Sequence, residues 1–236
     1  MECSAYIQNK AEETTHVKKL NLGCGKVILE GYVNADLRQL PGVDVTFDAF
    51  IFPWPFQDGE FDEIITSHLV EHIPHLVRKR IDHKVGNTID YNQWDLVPIW
   101  EENGFFVFFR EVWRILKPKG LIFIEGPYAR SLGADQDPTH TRALTEATFS
   151  YLWQWSDTFD YQLRYKFNQV SWEFLLNDPW NEMFRASVDL KESEPERAKQ
   201  AEAELHWALR HYWNVAHSFR TVLQKVELGD KVAGEA

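Results

Sequence analysis

Two sets of residues in this chain are spaced for chemistry: a glycine pair followed by an acid, and a group of histidines close to carboxylates. Gly23 and Gly25, in Asn21-Leu22-Gly23-Cys24-Gly25, follow a short apolar run. Glycines at such a turn let the backbone reverse sharply and approach a ligand with no Cβ in the way. Asp36 ends a second run, Tyr32 to Asp36, where a carboxylate can accept hydrogen bonds from both hydroxyls of a ribose. Strand, Gly-x-Gly turn, strand and acid together suit an adenosine-bearing ligand. The histidines suit a different task. His68, His72 and His140, the last in Asp137-Pro138-Thr139-His140, titrate near neutral pH and are candidates for the base that takes a proton from an acceptor hydroxyl.

The spacing narrows the ligand. Only 13 positions separate Gly23 from Asp36, against about 20 in the dinucleotide fingerprint. No full-length helix fits in that gap, and Lys26 and Val27 stand where a third glycine would be sought. A dinucleotide needs a helix N-terminus to receive its pyrophosphate. S-adenosylmethionine (SAM) carries no phosphate and tolerates the shorter crossover, so NAD and FAD are disfavoured and SAM remains, with S-adenosylhomocysteine as its product. His68-Leu69-Val70-Glu71-His72 also matches the H-x-x-E-H zinc pattern. That pattern expects a helix and a further ligand downstream, whereas a strand precedes His68; no metal site is expected.

These residues need elements to position them. Short apolar runs alternating with helical periodicity indicate βαβ units and a parallel sheet. Candidate strands are Lys19 to Leu22, Tyr32 to Asp36, Val43 to Phe47, Glu63 to Thr66 and Leu121 to Glu125. The clearest helix spans Glu102 to Leu116, with Phe105, Phe108, Phe109, Val112, Trp113 and Leu116 on one face and Arg110, Glu111 and Arg114 on the other. Thr145 is a candidate N-cap for a helix from Glu146 to Trp153. Alternation over Phe159, Tyr161, Leu163, Tyr165 and Phe167 predicts a strand, and Pro195 opens a helix. Asn214 to Val226 fits either period and is read as a late strand. The segments 73–104 and 126–145 are long for connections and are read as lid insertions.

Composition sets the outer bounds. The chain has 236 residues, 44% hydrophobic and 26% charged, as in an ordinary globular protein, and no apolar run approaches the roughly 18 residues of a membrane span. A formal charge of −11 disfavours nucleic acid, and Arg78-Lys79-Arg80 is read as a solvated cluster. Two cysteines, Cys3 and Cys24, offer no disulfide framework and fit a cytoplasmic setting.

The motifs, in order, resemble those of the seven-stranded, Rossmann-like (class I) SAM-dependent methyltransferases. Leu20 to Gly25 resembles the first motif, with Asn21 in place of an acid. Asn34-Ala35-Asp36 resembles the ribose-binding strand end, and Phe47-Asp48-Ala49 the adenine motif. Ser67 to Ile73 resembles the segment after the fourth strand, and Arg110 to Gly120 the helix and turn before the fifth. The resemblance covers roughly residues 18 to 126. It implies an α/β fold, Rossmann-like and doubly wound, with a mostly parallel seven-stranded sheet. The domain would occupy 17–236 after an N-terminal tail (1–16), with 150–236 as a variable acceptor-side region.

It also implies SAM binding by Asn21, Gly23, Cys24, Gly25, Asp36, Leu37, Asp48, Ala49 and Ser67. Methyl transfer to a small-molecule or glycan-type acceptor, at oxygen, would then involve His68, His72 and His140. No nucleic acid or membrane span is expected, and a homo-oligomer is compatible with the sequence. The rival readings are a catalytically silent SAM-binding scaffold and, with less support, a nicotinamide oxidoreductase.

Overall fold

The structure, a computed structural model, describes residues 17–85, 88–98, 103–159, 161, 163–189 and 191–227. The proposed tail, with Cys3, lies outside them. The strands are β1 (Lys19–Leu22), β2 (Val33–Asp36), β3 (Val45–Thr46), β4 (Ile51–Phe52), β5 (Phe61–Ser67), β6 (Arg78–Val85), β7 (Thr88–Pro98), β8 (Leu116–Pro127), β9 (Lys166–Leu176) and β10 (Ala216–Val226). The helices are α1 (Gly104–Ile115), α2 (Leu132–Asp135), α3 (Glu146–Phe149), α4 (Trp155–Thr158), α5 (Trp180–Asp189) and α6 (Pro195–His211).

Seven strands form one sheet in the order β3-β2-β1-β5-β8-β10-β9. Neighbours from β3 to β8 are parallel, while β10 runs antiparallel to both β8 and β9. This is the mostly parallel, Rossmann-like α/β sheet that the resemblance implies. The chain winds outward from β1 to β3, returns, and winds the other way through β5 and β8. The order therefore reverses between β1 and β5, and in open α/β sheets ligands bind beyond the strand C-termini at such a point.

The early crossovers are short because their sequence supplies no helical period: residues 23–32 join β1 to β2 through turns alone. The crossover from β5 to β8 carries α1. Asn103 caps it by accepting a hydrogen bond from the Phe105 N–H at 3.0 Å. Phe105, Phe108, Phe109, Val112 and Ile115 are buried in one core with Leu20, Leu22, Ile64, Ile122 and Ile124 of the sheet. Burying each such side chain is worth about 1.5–3 kcal/mol relative to leaving it exposed.

Several expectations are corrected. Leu116 does not close the helix but begins β8, pairing with Phe61. Glu111, assigned to the polar face, is 7% exposed. Its carboxylate accepts from the Trp54 N–H at 2.9 Å and from Arg114 at 2.8 and 3.0 Å. Arg114 reaches on to the carbonyls of Phe56 and Trp54, so the pair ties α1 to the segment after β4. The long connection after β5 is no simple loop: β6 and β7 form a hairpin that joins β4 in a second, three-stranded sheet. Arg78, Lys79 and Arg80 are exposed on β6, in place of the loop or helix face foreseen for them. The strand expected near Phe159 begins only at Lys166, because Trp155–Thr158 forms a helical turn instead. The late strand is present as β10.

Of the aromatic C-terminal half, Phe149, Tyr165, Phe167 and Phe219 are buried in the core, whereas Phe159, Tyr161, Phe184, Trp207, Tyr212 and Trp213 are exposed. Trp172 of β9 stacks on Phe219 of β10 with centroids 4.6 Å apart, and Phe149 meets Phe219 edge-on. Among the described residues, no helix is long and apolar enough to cross a membrane.

If Glu111 is removed, Arg114 keeps Asp58 at 2.8 Å, but the Trp54 N–H loses its acceptor, and a buried donor left unsatisfied costs about 1–3 kcal/mol. Glu111→Ala is expected to lose that much in urea unfolding. A loss below about 1 kcal/mol would show that the pair does not hold α1 in place.

Candidate functional site

The glycine turn is built as its sequence suggested. Gly23 and Gly25 have φ of 71° and 54°, the left-handed region that costs other residues about 1–2 kcal/mol. The Gly23 and Cys24 N–H groups donate to the Ala35 carbonyl at 2.8 and 3.0 Å. The Gly25 N–H donates to Asp36 Oδ2 at 2.8 Å, and the other oxygen of Asp36 accepts from the Arg38 N–H at 2.9 Å. Burial opposes ionisation of Asp36, but these two N–H donors and the Arg38 guanidinium outweigh it and hold the carboxyl below its ordinary range. Residues 26–32 form no helix, so no helix N-terminus stands ready for a pyrophosphate.

The remaining cofactor candidates divide by geometry. Asn21 is buried, and its amide donates to the Val27 carbonyl at 2.8 Å and to Asn34 Oδ1 at 2.9 Å. It therefore braces the loop from behind. Cys24 is a buried free thiol, and burial and the nearby Asp36 push its pKa up. Asp48 caps its own turn, accepting from the Phe50 N–H at 2.8 Å. The Ala49 carbonyl accepts from the Trp54 indole at 3.0 Å. Leu37 and Ser67 are exposed at the ends of β2 and β5.

All three histidines meet at the same edge. His68 follows β5 with φ of 53°, and its N–H donates to the Glu125 carbonyl at 2.9 Å. A 3-10 turn, Val70–His72, comes next. The Asp-Pro-Thr-His loop docks onto that turn: the Thr141 and Arg142 N–H groups both donate to the Glu71 carbonyl. His72 and His140 thereby come edge to face, ring centroids 4.7 Å apart. With His68, Pro127, Gln136, Asp137, His217 and others they line one cavity of 280 Å³.

Leu69 links this cavity to the glycine turn, because a Cβ on Gly23 would lie 3.0 Å from the Leu69 side chain. Contact with the Glu71 carboxylate at 3.2 Å holds the His68 imidazole above its ordinary pKa.

Glu71 is the residue that the sequence did not single out. Its side chain is fully buried, with Oε1 met by the His68 imidazole and Oε2 left without a hydrogen-bond partner. Its one signal in sequence was its place in H-x-x-E-H. Burial, which sets it apart, is a tertiary property. His217 was missed for a like reason, reaching the cavity only because β10 pairs with β8.

No family model and no curated protein matches the chain. Among solved structures, a SAM-dependent methyltransferase from Archaeoglobus fulgidus is 16% identical, with 89% of this chain and 86% of that one covered and a TM-score of 0.49. The YcgJ protein of Bacillus subtilis is 14% identical, covering 91% and 93%, with a TM-score of 0.41. Phosphoethanolamine N-methyltransferase 2 of Haemonchus contortus, solved with SAM, is 13% identical, covering 89% and 49%, at 0.37. Scores this low carry no argument by themselves. The strand order, with its antiparallel last neighbours, is what gives the chain the Rossmann-like fold of the class I methyltransferases.

A carboxyl whose folded pKa lies below its unfolded value of 3.8 stabilises the protein above that pH. The contribution is lost as pH falls through the folded pKa. Asp36→Asn is therefore expected to cost about 1.5–3 kcal/mol at neutral pH, the worth of a charged hydrogen bond, and less near pH 3. Urea unfolding at the two pH values measures this; an equal loss at both would mean that the charge is irrelevant.

Proposed function

We propose that the chain transfers a methyl group from SAM to an oxygen of a small-molecule or glycan-type acceptor. The observation that carries this reading is the contact of Leu69 with Gly23, which sets the histidine-lined cavity directly beside the glycine turn. A Gly-x-Gly turn with an acid at the next strand end, and no helix to receive phosphate, fits a nucleoside ligand that lacks a pyrophosphate. Space above the turn is open, since a Cβ on Gly25 would meet only the tip of Arg38, at 3.8 Å.

In this reading Gly23, Gly25 and Asp36 hold SAM at its ribose side and Asp48 and Ala49 at its adenine, as in the family the sequence resembles. Bound there, SAM supplies a sulfonium-activated methyl group that an aligned nucleophile can displace. The chain's own task is to align that nucleophile, which can be worth about 7–11 kcal/mol. His68, with Glu71 behind it, is the base for the acceptor hydroxyl, while His72 and His140 shape the acceptor wall. An exposed aromatic groove lined by Trp180, Trp207 and Tyr212, of 270 Å³, offers stacking surfaces suited to a sugar. The unpaired Cys24 fits a reducing, cytoplasmic setting.

Calorimetry is expected to show SAM and S-adenosylhomocysteine binding the purified protein, with no binding of NAD. Failure of SAM to bind would overturn the reading. His68→Ala is expected to retain SAM binding while transfer to hydroxylated acceptors falls about 10²–10⁴-fold. SAM binding without transfer to any acceptor by the wild type would favour the scaffold reading.

A further inference from the structure

An ionised carboxylate buried without partners is among the most costly groups a protein can hold. It is normally found paired, neutralised or on a metal. Both Glu71 oxygens are buried, and Oε2 has no hydrogen-bond partner. Oε1 faces His68 Nδ1 at 3.2 Å and His140 Nε2 at 4.0 Å. Oε2 faces Gly126, where a Cβ would intrude to 3.3 Å. One ligating atom from each of Glu71, His72 and His140 lies within 4.8 Å of the other two.

The two imidazoles are also oriented from behind. The Nδ1 of His140 donates to the Ala134 carbonyl at 2.8 Å, since a carbonyl can only accept, which leaves the Nε2 lone pair free. The Nδ1 of His72 faces the Thr139 carbonyl at 3.3 Å and the Thr139 hydroxyl at 3.0 Å. That hydroxyl spends its own proton on Asp137 at 2.7 Å, so it too accepts from His72. With Nδ1 donating, Nε2 is the nitrogen each ring leaves for a ligand; that of His140 also lies 3.9 Å from Asp137 Oδ2. Fixing the tautomer through the other nitrogen is the usual support behind metal-binding histidines.

We propose that Glu71, His72 and His140 bind one divalent transition-metal ion of borderline softness, such as zinc, with its open positions facing the 280 Å³ cavity. Two imidazoles and one carboxylate are a donor set for this class, and three protein ligands leave room for water or substrate. Ligands around a tetrahedral ion with bonds of about 2.0–2.2 Å stand roughly 3.3–3.5 Å apart, so the side chains must close by about 1 Å. Glu71 and His72 belong to the H-x-x-E-H run, for which no metal site was expected because a strand precedes His68; the third ligand, His140, arrives from the Asp-Pro-Thr-His loop. The ion's presence does not depend on methyl transfer. Its role, orienting and polarising the acceptor oxygen, rests on the function proposed above.

The test uses the full-length, untagged chain, stripped of metal by a chelator. Zn²⁺ is titrated by calorimetry, Co²⁺ absorption reports the ligand field, and SAM is titrated with and without zinc. One equivalent of zinc is expected, lost in His72→Ala/His140→Ala and in Glu71→Gln. Thr139→Val, which keeps every ligand, is expected to bind about 10–100-fold more weakly. Urea midpoints establish that each variant is folded.

Absence of a one-equivalent site in the wild type, or its persistence in the folded double variant, overturns the inference. If SAM still binds in that case, the methyltransferase reading stands alone. Zinc binding without SAM binding would keep the metal site and remove the methyltransferase reading.

Discussion

From Lys19–Glu63 to Leu22–Thr66, β1 and β5 pair in parallel and finish level with one another. Both strands run the same way, so the turns that follow them leave from one edge of the sheet. One turn carries Gly23 and Gly25, the other His68 and Leu69. With the two strands out of register, Leu69 would not lie over Gly23, and the glycine turn and the histidine cavity would be separate features. β8 extends the same edge on the other side, with Ser67 level with Glu125, and so brings Pro127 to the cavity wall.

Around that edge the molecule concentrates its polar cost. The core behind it is apolar and aromatic, with α1 packed on the sheet and Trp172 stacked on Phe219. Polar groups buried within the frame are mostly paired: Glu111 with Arg114 and Trp54, Asn21 with Asn34 and Val27, and Asp36 with Gly25 and Arg38. Glu71 breaks the pattern, and it does so in the wall of the cavity. Its backbone is well held, with the carbonyl accepting from both Thr141 and Arg142.

Much of the frame was legible in the chain. Apolar runs at Lys19–Leu22 and Leu121–Glu125 became strands because they sit between turn-forming residues and are buried on pairing. The phenylalanine period from Phe105 became α1, since a stripe at that spacing has one stable solution against a sheet. The strand proposed near Phe159 failed for the opposite reason. Alternation there was a local pattern, and the packing of Trp155, Tyr151 and Phe159 rings overrode it. Glu111 was misplaced because helical period alone does not say whether a charge at the stripe's border meets solvent or an arginine and a backbone N–H.

The glycine turn belongs to the sequence, since its elements are local: two glycines, a strand and an acid lie within a few turns of one another. The short reach from Gly23 to Asp36 leaves no room for a full-length helix. The histidine cavity belongs to the tertiary structure. His72 and His140 stand 68 positions apart, and only the docking of the Thr141 and Arg142 N–H groups on Glu71 brings their rings into contact. What Glu71 faces, His68 Nδ1 at 3.2 Å on one oxygen and the gap left by Gly126 on the other, is set by the fold. The chain could name its histidines, but which carboxylate they face is decided by packing alone.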